Sequence, residues 1–127
     1  MTAIQNAAYK ALEGRTYKEV FELVRTHLLA QKAPSLSSDG DAMCMYRGSY
    51  GRKCAIGCLI SDEDYNTDME GSCVDNVIYV NGDVIYDPYI EMLASLQTLH
   101  DEVEPEYWGT ALADLYANLF QEPEGVE

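Results

Sequence analysis

Four cysteines and two histidines hold whatever metal or nucleophilic chemistry this 127-residue chain could perform. A structural zinc site takes four Cys or His ligands, and Cys44, Cys54, Cys58, Cys73 and His100 form the ligand set on offer. The spacing argues against a metal. Nine, three and fourteen residues separate successive cysteines, without the C-x2-C knuckle that lets two thiolates grip one ion from a single turn. Cysteine is also among the most commonly buried residues and packs there as a small hydrophobe. We therefore expect buried, free thiols, with no metal and no cofactor.

A thiol nucleophile needs an imidazole held by an acid, and Cys54, His100 and Asp101 supply those residue types. Arg52 and Lys53 would lower the Cys54 pKa if they lay close, but the apolar run around Cys54 would raise it. His100 falls on the edge of a helical stripe with Leu96 and Leu99, which makes a core or boundary histidine the expected reading. His27 fits beside Leu28 on its own helix. Asp62, Asp64 and Asn66 have the first spacings of a calcium loop, yet Thr67 and Cys73 stand where Gly and Glu are required. Gly48, Gly51 and Gly57 match no phosphate-binding glycine pattern. Gly48 and Gly51 suit a tight turn, and Gly57 a close approach of a neighbouring element.

The elements that must position these residues follow from periodicity and capping. Ile4, Ala7, Ala8, Ala11 and Leu12 predict a marginal N-terminal helix within residues 1–15, stopped by Gly14. Thr16 and Glu19 form a capping box for a second helix over about 17–32, whose apolar face ends near Gln31. Residues 33–42 read as a loop, Met43 to Arg47 as a short strand, and 48–51 as a turn. The run C-A-I-G-C-L-I is too short for its period to decide, and we lean to a short buried helix with Cys54 and Cys58 on one face. Asn81-Gly82 between two β-branched and aromatic runs predicts a hairpin over 77–86. Asp87 and Pro88 open a third helix striped with Tyr89, Met92, Leu93, Leu96, Leu99, His100 and Val103. Pro105 opens a fourth, with Trp108, Ala111, Leu112, Leu115 and Leu119 inward, and residues 121–127 form a frayed tail. The expectation is one α+β domain over 1–127, mainly helical, with four to five helices around the C-A-I-G-C-L-I segment and one or two short hairpins.

Charge is distributed unevenly along the chain. Residues 1–53 contain all eight cations and five acids, a net +3, while residues 54–127 contain seventeen acids and no cation, a net −17. Such a surface repels nucleic-acid phosphates and anionic lipid and favours basic protein surfaces. The longest apolar run falls far short of the roughly 20 residues of a membrane span. With no basic-then-apolar leader visible, a cytosolic location is expected.

The segment C-M-Y-R-G-S-Y-G-R-K-C-A-I-G-C-L-I at 44–60 is followed by D-x-x-Y at 62–65, M-E-G at 69–71, L-Q-T-L-H-D at 96–101 and Trp108. This motif order, covering about residues 17–120, resembles a set of small proteins encoded in tailed-phage and prophage genomes that carry no assigned activity. The resemblance implies a phage accessory protein in the host cytosol, with Cys44, Arg47, Gly51, Cys54, Gly57, His100 and Asp101 matching the shared pattern. The chain departs from that pattern at 77–86, where a private hairpin could expose an edge.

The expected function is therefore protein binding, by a module that inhibits a host or defence protein, with DNA mimicry as one version. Asp62, Glu63, Asp64, Asp68, Glu70, Asp83, Asp87, Glu102, Glu104 and Glu106 are the interaction candidates. Arg47, Gly48, Gly51, Cys54, Gly57, His100, Asp101 and Trp108 are the structural ones, with Arg47 expected to pair with Asp101 or the 62–70 loop. The runner-up is a Cys/His metal protein or thiol enzyme. The tyrosines around the turn and hairpin allow a homodimer.

Overall fold

A computed structural model describes residues 3–36, 45–70, 77–80 and 83–120. The fold is α+β and mainly helical, with four helices among the described residues: α1 (Ala3–Leu12), α2 (Tyr17–Gln31), α3 (Pro88–Glu102) and α4 (Trp108–Phe120). Their starts are written in local chemistry. Thr16 accepts from the Glu19 N–H at 3.1 Å while the Glu19 carboxylate accepts from the Thr16 N–H at 3.1 Å, the reciprocal capping box. Asp87 accepts from the Tyr89 N–H at 2.9 Å with Pro88 at the first helical position, where its missing N–H costs nothing. Pro105 begins a single 3-10 turn, Pro105–Tyr107, that feeds α4.

α3 lies against α4, and α2 contacts both. Phe21, Val24, Leu28, Leu93, Leu96 and Leu112, all completely buried, form the interior. Residues 54–60 are inserted beneath α1 and α2, with Cys54, Ala55, Ile56, Gly57 and Ile60 buried. The segment is not the helix toward which its composition leans. The Cys58 N–H reaches the Cys54 carbonyl at 3.1 Å, a 3-10 turn spans Gly57–Leu59, and Ile60 departs in extended conformation. The cause is its entry: the Cys54 N–H bonds to the Tyr46 carbonyl at 3.3 Å, and Gly57 then lies so close to that carbonyl that a Cβ would overlap it.

Two antiparallel pairings complete the architecture. β1 (Val77–Val80) and β2 (Asp83–Tyr86) pair in register from Val77 with Tyr86 to Val80 with Asp83, as the hairpin reading predicts; Asn81-Gly82 lies outside the described residues. A shorter hairpin pairs Arg47 with Lys53. Its tip carries Tyr50 at φ 61°, ψ 27° and Gly51 at φ 70°, the positive-φ pair of a type I′ turn, closed by the Arg52 N–H on the Ser49 carbonyl at 3.2 Å. Cys44, Cys73 and the 121–127 tail lie outside the described residues. Among the described residues, no helix is long and apolar enough to cross a membrane.

Candidate functional site

His100 sits in the last full turn of α3, 1% exposed, at the place where three chain segments meet. Its Nε2 accepts the Ser35 backbone N–H at 3.0 Å. A backbone N–H can only donate, so Nε2 carries no proton and the neutral ring is protonated at Nδ1. Nδ1–H then donates to Asp101 Oδ1 at 2.8 Å. The ring stacks on Trp108 with centroids 5.6 Å apart and planes 29° apart, and Trp108 Nε1–H donates to the Val103 carbonyl at 2.8 Å.

This is the imidazole and carboxylate of a nucleophilic triad, but the nitrogen that would take a proton from a nucleophile is already occupied by Ser35. Ser35 is fully buried, and all its polar groups point inward. Its hydroxyl donates to the Arg52 carbonyl at 3.2 Å, and its carbonyl accepts the Met45 N–H at 3.0 Å. Gln97 closes the network from α3: Nε2 donates to Asp101 at 2.8 Å, and Oε1 accepts the Ile56 N–H at 3.3 Å. The His100 and Asp101 pair therefore clamps the 33–36 segment and the 54–57 turn onto α3.

Of the two described thiols, Cys54 is fully buried and Cys58 partly buried. Gly57 N–H approaches Cys54 Sγ at 3.2 Å, and Cys58 donates to the Ala55 carbonyl at 3.1 Å. Burial pushes both thiols up to about 12, far from a nucleophilic thiolate at neutral pH. Among the described residues, no three His, Cys, Asp or Glu side chains are grouped to hold a metal. No family model, curated protein or solved structure matches this chain. Its function has to be read from its own residues.

Arg47 does not reach Asp101, whose Oδ1 is taken by His100 and Gln97. It turns to the acidic loop instead: the guanidinium donates to the Ile60 carbonyl at 3.0 Å, pairs with Asp62 at 2.8 Å and stacks 4.4 Å from the Tyr65 ring centroid. Glu70 completes that corner. One carboxylate oxygen accepts the Tyr46 N–H at 2.9 Å, and the other accepts the Arg47 N–H at 3.1 Å and the Tyr65 hydroxyl at 2.6 Å. Burial and the Glu70 bond push the Tyr65 hydroxyl up to about 12.

The acids proposed for interaction thus divide. Glu70 and Asp87 are half-buried and tied into the fold; besides capping α3, Asp87 accepts the Tyr9 hydroxyl. Asp62 pairs with Arg47, and Asp64 pairs with Lys10 at 3.0 Å. Glu63, Asp68, Glu102, Glu104 and Glu106 are exposed, and none has an ion-pair partner among the described residues. Of Asp83, the backbone pairing with Val80 is what the structure describes.

Three contributors to the network had no role assigned from the sequence. Ser35 reads as one serine of a polar loop, and Gln97 enters only as the glutamine of L-Q-T-L-H-D. Gln31, at the end of the α2 face, brackets Lys53 by accepting its N–H at 2.8 Å and donating to its carbonyl at 2.8 Å, and His27 Nε2–H reaches the same carbonyl at 2.8 Å. The one available signal was a histidine and a glutamine four residues apart, both able to meet a strand edge.

Proposed function

We propose that this chain is a small acidic accessory protein of phage type that works in the host cytosol by binding a host protein with a basic surface and blocking it. The observation that carries this reading is the division just described. Among the described residues, Cys54, Cys58, His27, His100 and the half-buried acids Glu70 and Asp87 are committed to internal hydrogen bonds. Glu63, Asp68, Glu102, Glu104 and Glu106 remain in solvent without an ion pair among the described residues, Glu63 alone feeling the charge of Lys10. Unneutralised surface carboxylates raise the rate of association with a basic partner and make it sensitive to salt. In the DNA-mimic version, the same carboxylates occupy a groove that otherwise binds phosphates.

The test is capture from bacterial lysate on the immobilised chain at low and at high salt. A partner retained at low salt, released at high salt and lost by a variant with these five acids changed to Gln or Asn supports the proposal. Displacement of that partner by duplex DNA selects mimicry. If no partner is retained at low salt, or if the five-acid variant retains the same one, the acids serve solubility and the proposal fails.

A further inference from the structure

A cleft of about 560 Å³ opens between α1 and the 58–64 segment, a volume within the range of small-molecule sites. Ala7 and Ala11 of α1 and Leu59 and Ile60 of the segment give it apolar walls. Three cations line it, Lys10, Arg15 and Lys53, and so do three acids, Asp62, Glu63 and Asp64. Equal numbers do not make the cleft neutral, because pairing removes the charges unequally. Lys10 pairs with Asp64 at 3.0 Å, while Asp62 pairs at 2.8 Å with Arg47, a cation from outside the cleft. Arg15 and Lys53 are left against Glu63, two cations against one acid, in a protein whose net charge is −14.

Neither remaining cation has a carboxylate partner among the described residues. Arg15 donates to the Ala11 carbonyl at 2.7 Å, which uses one N–H of a five-donor fork. Lys53 enters the fold through its backbone, bracketed by Gln31, and its half-buried side chain makes no hydrogen bond there. Its charge reaches the Cys58 thiol on the cleft wall. The charge of the whole molecule does not forbid an anion in this cleft. At physiological ionic strength the screening length is about 8 Å, so the groups lining the cleft outweigh distant acids. A guanidinium takes a carboxylate through two parallel N–H bonds, and an ammonium holds one as a point charge. The apolar walls suit an organic anion better than a bare inorganic one.

We propose that the cleft between α1 and the 58–64 segment binds a small organic carboxylate, held by Arg15 and Lys53. The inference goes beyond the binding of a host protein and does not depend on it, since purified protein alone tests it.

The experiment is an amide NMR titration at a fixed ionic strength of about 0.15 M, with succinate as the probe and inorganic phosphate and sodium chloride in parallel. Succinate should shift the amides of residues 7–11 and 58–64 saturably, with a Kd of about 1 mM or tighter, and phosphate should bind about fivefold more weakly or worse. Lys53→Met should weaken succinate by about tenfold while its urea midpoint stays at the wild-type value, because no hydrogen bond or ion pair of the fold uses that side chain. Glu63→Gln removes the one acid of the cleft without an ion pair among the described residues and should tighten binding about threefold. Shifts that never saturate, or that sodium chloride reproduces, overturn the proposal. So does a preference for phosphate, a Lys53→Met protein that binds as wild type does, or a Glu63→Gln protein that binds more weakly.

Discussion

The Ser35 N–H donates to His100 Nε2 at 3.0 Å across 65 residues of chain, and this bond assigns the His100 and Asp101 pair to architecture. A buried donor that loses its acceptor costs more than the bond itself contributes, because water cannot replace the missing partner. His100→Phe keeps a ring against Trp108 but strands the Ser35 N–H and removes the Asp101 bond. It should cost about 2–4 kcal/mol in urea unfolding. Asp101→Asn still offers an oxygen to Nδ1–H and should cost only about 1 kcal/mol. Equal losses from the two variants would contradict this order.

Gly57 and Gly51 separate two causes of glycine necessity. At Gly57 a Cβ would collide with the Tyr46 carbonyl, so either backbone must move. Gly57→Ala should cost about 3 kcal/mol or more, or prevent folding. At Gly51, φ is 70° with open space around the would-be Cβ, leaving only conformational strain. Gly51→Ala should cost about 1–2 kcal/mol with the thermal transition still cooperative. A mild Gly57→Ala would disprove the close approach.

Glu70 is the one acid of the 62–70 loop whose carboxylate binds two successive backbone N–H groups. Glu70→Gln turns an amide NH2 toward at least one donor and should lower stability by about 2 kcal/mol. Asp68→Asn, two residues away and exposed, should stay within about 0.5 kcal/mol of wild type. Chemical denaturation of the pair decides it, and matching midpoints would place Glu70 with the surface acids.

Alkali should destabilise the protein first through its thiols, whose window opens at 9.0, with the raised hydroxyls of Tyr9, Tyr65 and Tyr89 adding to the loss above 10.0. Cys54 and Cys58 are raised by burial from an ordinary 9.0 to about 12, so the native state holds their protons more tightly than the unfolded state does. Their contribution is complete below pH 9.0 and is lost as pH climbs toward 12. Each thiol takes away up to about 1.4 kcal/mol per pH unit in that window. Urea midpoints measured from neutral pH upward should be flat and then fall steeply, and Cys54→Ala with Cys58→Ala should flatten the fall. An unchanged alkaline slope in that double variant would refute burial of the thiols as its cause.

Helix boundaries, caps and the 48–51 turn were legible in the sequence because each is decided by a few adjacent residues: Thr16 with Glu19, Asp87 with Pro88, and positive-φ capacity at Gly51. The 96–100 stripe placed His100 in the core or at its boundary for the same reason, since a 3.6-residue period needs no partner to be read. What the sequence could not contain was the partner of each polar group. Composition offered His100, Asp101 and Cys54 as a catalytic set, and left Arg47 to choose between Asp101 and the 62–70 loop. Tertiary packing gave Nε2 to a loop serine, Asp101 to His100 and Gln97, and Arg47 to Asp62. It also divided ten equivalent-looking acids into half-buried anchors such as Glu70 and Asp87 and exposed surface charges such as Glu104. The sequence alone determined how much negative charge the second half must carry. Which carboxylates water keeps was decided only when folding brought N–H groups, hydroxyls and cations from distant segments within hydrogen-bond reach.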